Sequence, residues 1–588
     1  MIDPMQDVEW VNSETFSAFW AWLSEQDFVA CDTETGGGYN SFDQAFSVRL
    51  VQFGSPDRAW CVDFQRWRGF VQDVFDRYRG TIVFHNVRFD YLALASEGIR
   101  IRWDNLADTL IMLRLAEPTE SAALKKASDK YVSSASSGAQ KVLADAFRKQ
   151  KWDWSTVPLD FPPYTFYAAL DTILTARLYE TDVAVRGRAS KVYPLEMEVK
   201  AVCTRMEQNG LKIDVPFCER ETDRLRVEAD GIKETTLAEF GFSLGSTQQL
   251  SHWFASQPDA LKLMTKETDG GKLAVDKEVL EVLLTVPGDV GEIARRTLRV
   301  RRDEKIAGSY LENFLGMRDG NDIVHPQIET VAARTGRMSV KEPGLQTLPK
   351  PTVDSDYRIV REAVIPHNED HVLVSCDSDQ IELRIIGSIT RDENMVEAFR
   401  EADAGDTDFF TNMARKMYED PTMPKSDKRR DRIKTFVYSS VYGAGIPKMA
   451  LVAGVTVAEM REIRDGIAAS FPGFFRIALE ARHQLSTNGG YIETTEGRRL
   501  PCDKEHAAAN YIIQGSAADV LKRSLVNAAQ AGLEEYMLVP VHDEIVMSAP
   551  KDLADDLRRE LEIAMTNVEY EIPLTASGNI GSTWAECK

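Results

Sequence analysis

His371-Val-Leu-Val-Ser-Cys-Asp377-Ser378-Asp379-Gln380-Ile-Glu382-Leu-Arg384 is a strand-like apolar run that delivers acids at its end. A second such run, Tyr536-Met-Leu-Val-Pro-Val-His542-Asp543-Glu544-Ile-Val-Met547, places His542-Asp543-Glu544 between two short apolar segments, as at the tip of a hairpin. Between them lies Arg430-Asp-Arg-Ile-Lys434-Thr-Phe-Val-Tyr438-Ser-Ser-Val-Tyr442-Gly443, with Arg, Lys, Tyr and Tyr at four-residue intervals. On a helix that stripe is about 18 Å long and drifts slowly around the axis. Cations at one end and aromatics at the other suit a triphosphate with its base stacked beyond it.

Working outward, the first third of the chain reads as α/β. Short strand-like runs begin at Phe28, Val48, Ala59 and Thr81, separated by Gly, Ser and Pro turns, and a helical pattern starts at Phe89. Ser133-Ser-Ala-Ser-Ser-Gly138 reads as a mobile loop. From Tyr193-Pro194 the texture changes to amphipathic helices with few strands, so a domain boundary is expected there. Two basic clusters stand out, Ala294 to Lys305 and Lys425 to Lys434; either could be an ordinary solvated helix face. No internal repeat or low-complexity tract is present.

The chain has 588 residues, enough for roughly three or four domains. Its 43% hydrophobic content excludes a disordered or fibrous protein. The net charge of −22 excludes a simple cationic coat for nucleic acid but leaves room for a local basic groove. Seven scattered cysteines, none in a C-x-x-C pair, argue for reduced thiols rather than disulfides or a zinc module. With no signal-like amino terminus and no long apolar run, a soluble cytoplasmic protein without membrane contact is expected.

Asp32 and Glu34 are two apart on an expected strand and so project from one face, as oxygen ligands to a hard cation would. Acidic pairs of this spacing are common by chance; the weight comes from His85-Asn86-Val-Arg-Phe-Asp90 and Tyr167-Ala-Ala-Leu-Asp171. Together they resemble the three motifs of the proofreading 3′–5′ exonuclease domain of DNA-polymerase-I-like enzymes, an RNase-H-like fold. The resemblance implies that Asp32, Glu34, Asp90 and Asp171 hold two metal ions. It also implies that Tyr167 orients the attacking water and that Asn86 lies near the substrate strand. A pair of Mg²⁺ ions activates water and stabilises the leaving oxygen of a phosphodiester.

In their order along the chain, the three later motifs resemble A, B and C of the family A DNA polymerases. Thr335-Gly-Arg-Met-Ser, Gly344-Leu-Gln-Thr-Leu-Pro and Asn510-Tyr-Ile-Ile-Gln-Gly-Ser-Ala-Ala-Asp519 match the family as well. The resemblance implies a multidomain α/β and α+β chain. An exonuclease domain would occupy 1–192 and a right-hand polymerase domain 193–588. Within the latter the thumb is expected at about 193–310, the palm at about 311–384 and 498–588, and the fingers at about 385–497.

The resemblance also assigns roles. Asp377 and Asp543 would carry two Mg²⁺ ions, with Mn²⁺ as an alternative, and the Ser378 carbonyl would be a further ligand. Arg430 and Lys434 would hold the triphosphate, Lys434 also neutralising or protonating the departing pyrophosphate. Tyr438 would lie against the sugar, Tyr442 near the templating position and Gln380 at the nucleotide. Glu382 would close the sugar pocket against a 2′-hydroxyl. Arg337, Asn510, Gln514 and His542 would meet the primer–template end. The thumb cluster, including Arg295, Arg299 and Arg302, would pass along backbone phosphates, a salt-sensitive and sequence-independent contact.

Three positions depart from the family pattern. Ser378 replaces a usual tyrosine, which a backbone ligand tolerates. Asp379 replaces a usual serine and adds negative charge beside the metals. His506 stands four residues before Asn510 where arginine is common. The expected activity is templated primer extension with dNTPs and 3′–5′ proofreading, in DNA replication. The layout, with no long thumb insertion and no 5′-nuclease domain, is most similar to a bacteriophage replicative polymerase. It would act as a monomer in the host cytoplasm, with phage or host replication proteins as further partners. An exonuclease with an idle polymerase domain and a non-catalytic DNA-gripping scaffold are the rival readings.

Overall fold

The computed structural model describes residues 8–38, 40–133, 136–264, 266–268, 270–349, 356–405, 407–441 and 443–587. Tyr442 therefore lies outside the described residues, as do 134–135 of the expected serine loop. The rest of that loop is shorter than expected, because a helix already begins at Ser136.

Runs rich in β-branched and aromatic residues form a six-stranded sheet near the amino terminus. Its order is Val8–Trp10, Ala59–Asp63, Ser47–Gly54, Phe28–Gly36, Thr81–Phe84, Leu106–Asp108. Phe28–Gly36 is central, antiparallel to Ser47–Gly54 and parallel to Thr81–Phe84. The strands expected at Phe28, Val48, Ala59 and Thr81 are all present; the two edge strands, each of three residues, were too short to read. The helix Pro162–Glu180 packs across the strands Phe28–Gly36, Ser47–Gly54, Ala59–Asp63 and Thr81–Phe84, with proline in its first turn, where a missing N–H costs nothing.

A helix starts at Tyr193, again with proline in its first turn. Beyond it, the long helix Val215–Phe240 packs on Asp289–Glu304 around an apolar core of their own. A second sheet, four-stranded and antiparallel, runs in the order Met537–Val541, Glu544–Pro550, His371–Ser378, Ala576–Gly581. His542 and Asp543 are the two residues between its first pair of strands, and His542 has φ 60°, the left-handed geometry a two-residue hairpin loop demands.

Between the sheet strand His371–Ser378 and its partners in the last hundred residues comes a helical insertion with a separate core. Aspartates start its helices: Asp392 accepts the N–H groups of Asn394 and Met395, and Asp408 those of Phe410 and Thr411. Lys428–Val441, the helix of the Arg–Lys–Tyr stripe, follows. The long helix Ala508–Gln530 returns the chain to the second sheet. Among the described residues no helix is long and apolar enough to cross a membrane.

Candidate active sites

The first site is built on the central strand of the six-stranded sheet. Asp32 and Glu34 share a face of it, and Thr33 between them donates its hydroxyl to Asp90 Oδ1 at 2.8 Å. Asp90 sits in the first turn of the helix Val87–Ser96, where the helix dipole favours an acid. That helix is anchored by Asp108, whose carboxylate accepts the Asn86 and Val87 N–H groups at 2.9 and 3.0 Å. Asn86 is thereby held at φ 72° ahead of the helix. Asp171 and Tyr167 are one turn apart on Pro162–Glu180. The fold thus assembles all three sequence motifs.

Charge is concentrated here without solvent. Glu34, Asp90 and Asp171 are buried. Burial raises the Asp32 carboxyl to about 7, with Lys125 pulling the other way. Burial and the Asp32 charge push Glu34 and Asp90 well above the usual carboxylate range. The cation that answers them is Lys125, which the sequence reading missed. It ion-pairs with Asp171, its ammonium stands 4.3 Å from the centre of the Tyr167 ring, and burial lowers it to about 8.

Buried carboxylates that repel one another are the donor chemistry a hard divalent ion requires, so these residues fit the implied metals. Among the described residues, no three acid, histidine or cysteine side chains are gathered closely enough to hold an ion. Lys125 is a positive charge in the cluster, and Arg49 adds another near Glu34. Nothing local marks Lys125: it is one lysine of a Lys-Lys pair on the helix Leu124–Tyr131, brought to the site by tertiary packing.

The second site lies at the end of the four-stranded sheet. The Ser378 N–H donates to the Asp543 carbonyl at 3.1 Å, and Asp377 pairs in register with Glu544 on the adjacent strand. Two motifs far apart in sequence thus meet at one sheet end. The hairpin tip is held from outside: Gln346 accepts the His542 N–H at 3.1 Å, and His542 Nε2 contacts the Leu348 carbonyl at 3.0 Å. The Gly344-Leu-Gln-Thr-Leu-Pro motif therefore supports the acidic turn. Two aspartates and a peptide carbonyl at one edge are a donor set suited to Mg²⁺.

Asp379, read as adding negative charge beside the metals, accepts the Ser577 hydroxyl at 2.9 Å on both oxygens, on the neighbouring strand. Gln380 adopts φ 51° just ahead of the helix Ile381–Thr390, and its buried Oε1 accepts no hydrogen bond among the described residues. Glu382 is in the first turn of that helix and pairs with Arg337 at 2.9 Å.

Arg337 follows Gly336, whose φ is 78° and where a Cβ would lie 2.7 Å from the Arg498 side chain, so glycine is required. Arg498, Lys522, Glu196 and Asp519 form a buried ion cluster beneath it, and Lys522 donates to the Gly336 carbonyl at 2.9 Å. Asn510 and Gln514 are one turn apart on Ala508–Gln530, and Asn510 Oδ1 is buried without a hydrogen-bond partner among the described residues. His506, on the short turn before it, is exposed.

On Lys428–Val441 the residues Arg430, Lys434 and Tyr438 line one face. Arg430 meets Asp408 at 3.0 Å, and hydrogen bonds from Arg430 and Thr411 hold that acid below the usual range against the upward pull of its burial. Lys434 is exposed, 5.9 Å from the Phe410 ring centre, and the Tyr438 ring is 5.5 Å from the same ring.

In the thumb cluster, Arg295 pairs with Glu292, Arg299 with Glu228 at 2.6 Å, and Arg302 with Asp303 at 2.7 Å and with Asp356. Acids on the same helix, and others on packed segments, pair with these arginines, and Asp303 among them is buried. The more exposed pair, Arg295 with Glu292, is weak enough for a phosphate to displace.

Comparison with known proteins agrees with this geometry. The model of the family described as "DNA polymerase family A" matches residues 217–586, and that described as "3'-5' exonuclease" matches 8–181. The DNA polymerase of Mycobacterium phage D29 is 29% identical, covering 92% of this chain and 90% of its own. That of Mycobacterium phage L5 is also 29% identical, over 90% and 87%. DNA polymerase I of Bacillus subtilis is 27% identical over 67% of this chain and 46% of its own length. A solved structure of the polymerase domain of Pol1 from M. smegmatis, in complex with DNA primer-template and dNTP, superposes with a TM-score of 0.80. It covers 99% of this chain and 100% of that one at 21% identity, which speaks to the fold. The chain is a member of DNA polymerase family A, with a 3′–5′ exonuclease domain preceding its polymerase domain.

Proposed function

We propose that this chain extends a primer 3′-hydroxyl with deoxynucleotides on a DNA template and trims mispaired ends, as a monomeric replication enzyme acting in the cytoplasm of a phage host. The observation that carries this reading is the Ser378–Asp543 hydrogen bond, which seats Asp377 and Asp543 together at the sheet end. On this reading the exonuclease domain is 1–192, and the thumb, palm and fingers take the limits given above.

Asp377, Asp543 and the Ser378 carbonyl would hold two Mg²⁺ ions in the palm, and Asp32, Glu34, Asp90 and Asp171 two in the exonuclease site. Bound there, such ions lower the pKa of the attacking oxygen and neutralise the leaving one. Lys434, exposed on its helix, reaches the triphosphate and carries positive charge to the pyrophosphate as it leaves. Arg430 exchanges Asp408 for phosphate oxygens. Glu382, held by Arg337, closes the space beside the sugar's 2′ carbon. Arg337, Gln514 and Asn510 read minor-groove acceptor positions that all correct base pairs share. In the exonuclease site Tyr167 orients water, and Asn86 lies near the substrate strand.

Single-nucleotide extension of a primed template with Mg²⁺, run beside degradation of unextended primer, tests this reading. Asp543→Ala should stop extension and spare degradation, whereas Asp32→Ala with Glu34→Ala should do the reverse. Extension surviving Asp543→Ala would overturn the palm assignment. Extension lost with the exonuclease pair would overturn the division into two sites. A scaffold would do neither reaction.

A further inference from the structure

Glu544 follows Asp543 directly, yet its carboxylate turns into the protein and is 3% exposed. The Trp584 indole N–H donates to Oε1 at 2.7 Å, and the Ser375 hydroxyl donates to the same oxygen. The Arg361 guanidinium meets Oε2 at 3.3 Å and stands 4.0 Å from the centre of the Trp584 ring. Arg361 and Trp584 are as buried as Glu544. With both oxygens engaged in a dry pocket, Glu544 is placed as a structural anion, whereas its neighbour Asp543 stays on the turn.

The register ties this pocket to the acids of the palm. Glu544 lies directly opposite Asp377, so the two side chains share a face, and Ser375, two residues before Asp377, shares it too. Arg361 is the buried cation behind that face. Its Nε and Nη2 have no hydrogen-bond partner among the described residues, so it is pinned at one corner, and Asp377 is near enough to act on its charge. Trp584 comes from the short turn Trp584–Glu586 close to the end of the chain, which packs against the strand carrying Asp377.

We propose that Arg361, Glu544 and Trp584 form a positioning cluster for the polymerase centre. The carboxy-terminal turn holds Glu544 through the indole N–H, and Glu544 with Arg361 sets the orientation and charge balance of Asp377 and the Asp543 turn. The proposal rests on the reading that Asp377 and Asp543 are the polymerase acids. It makes these three residues supports of the reaction that touch neither DNA nor nucleotide.

Trp584→Phe keeps an aromatic ring beneath Arg361 and removes the N–H donor together with part of the indole's buried bulk, so the unfolding temperature is followed beside the kinetics. We expect kcat for single-nucleotide extension to fall about tenfold and KM for the nucleotide to stay within about twofold. The Mg²⁺ concentration for half-maximal extension should rise several-fold, while degradation of single-stranded DNA by the same preparation is unchanged. In an Asp32→Ala, Glu34→Ala background, Mn²⁺ binding by the free enzyme, followed by electron paramagnetic resonance, should weaken in parallel. Arg361→Lys should retain more extension than Arg361→Met, because the charge is kept.

An unchanged kcat and Mg²⁺ midpoint in Trp584→Phe would overturn the proposal. Proportional loss of extension and degradation with a lowered unfolding temperature would also overturn it, because that pattern marks general support of the fold. If Asp543→Ala still extends primers, the underlying reading fails. If Asp543→Ala is inactive and Trp584→Phe behaves as parent, only the cluster fails.

Discussion

Removing divalent ions and raising the pH should destabilise the exonuclease domain, by an amount that follows from Asp32. Burial places this carboxyl at about 7 in the folded chain, against about 3.9 for an ordinary aspartate in the unfolded one. The folded state therefore holds the proton more tightly. The resulting stability is fully present below pH about 4 and is lost as pH rises through about 7. Three units at about 1.4 kcal/mol each set a ceiling near 4 kcal/mol, with the downward pull of Lys125 already included.

Glu34 and Asp90 are displaced in the same direction, by burial and by the Asp32 charge. For a domain of 150–250 residues each kcal/mol moves Tm by about 2–4 °C, so the metal-free transition should drop on the order of 10 °C between pH 5 and 8. Mg²⁺, binding only the folded cluster, should restore it. Differential scanning calorimetry of the intact chain in chelator or in Mg²⁺ measures both effects. The Asp32→Asn variant should raise the metal-free transition at pH 8 and blunt its response to Mg²⁺. A transition in chelator that ignores pH, or an Asp32→Asn variant that responds like the parent, would refute the reasoning.

Lys125→Met removes the cation paired with Asp171 and should lower the same transition in chelator at pH 8 by more than in Mg²⁺, read by the same calorimetry. Glu382→Ala should raise ribonucleotide use relative to deoxyribonucleotide use, and Arg337→Met should do so in part because its 2.9 Å contact holds that carboxylate; ratios of kcat/KM decide. Tyr438→Phe removes one hydroxyl and should increase discrimination against dideoxynucleotides by up to roughly a hundredfold, the size of a charged hydrogen bond, with deoxynucleotide kinetics nearly unchanged. Glu196→Gln leaves Asp519 as the one acid facing both Arg498 and Lys522 in the buried cluster and should cost about 3–5 kcal/mol in denaturant unfolding.

Much of the molecule was legible in one dimension because the relevant physics is local. A two-residue period puts Asp32 and Glu34 on one face of a strand, and a four-residue repeat puts Arg430, Lys434 and Tyr438 on one face of a helix. The hairpin tip at His542 and Asp543, the four strands around Asp32 and the helix start at Tyr193 follow from apolar runs and their breakers. These features depend on neighbours a few positions away, which the sequence displays directly.

Charge compensation was not legible, because a side chain's partner is chosen by packing. Lys125 looks like any surface lysine until the helix Leu124–Tyr131 docks it on Asp171. The thumb arginines read as a basic cluster, and the fold pairs them with Glu228 and Asp356 on other segments and with Glu292 and Asp303 on the same helix. Asp379 read as an added charge at the metals, and a strand near the end of the chain supplies Ser577 to hold it. Glu544 stands beside Asp543 in the sequence, and only the fold shows it enclosed by Arg361 and Trp584. The sequence by itself determined which acids, cations and aromatics stand on which element. The tertiary structure alone decided which of those charges are buried and what answers them, because desolvation and ion pairing depend on distances between segments that only the folded chain sets.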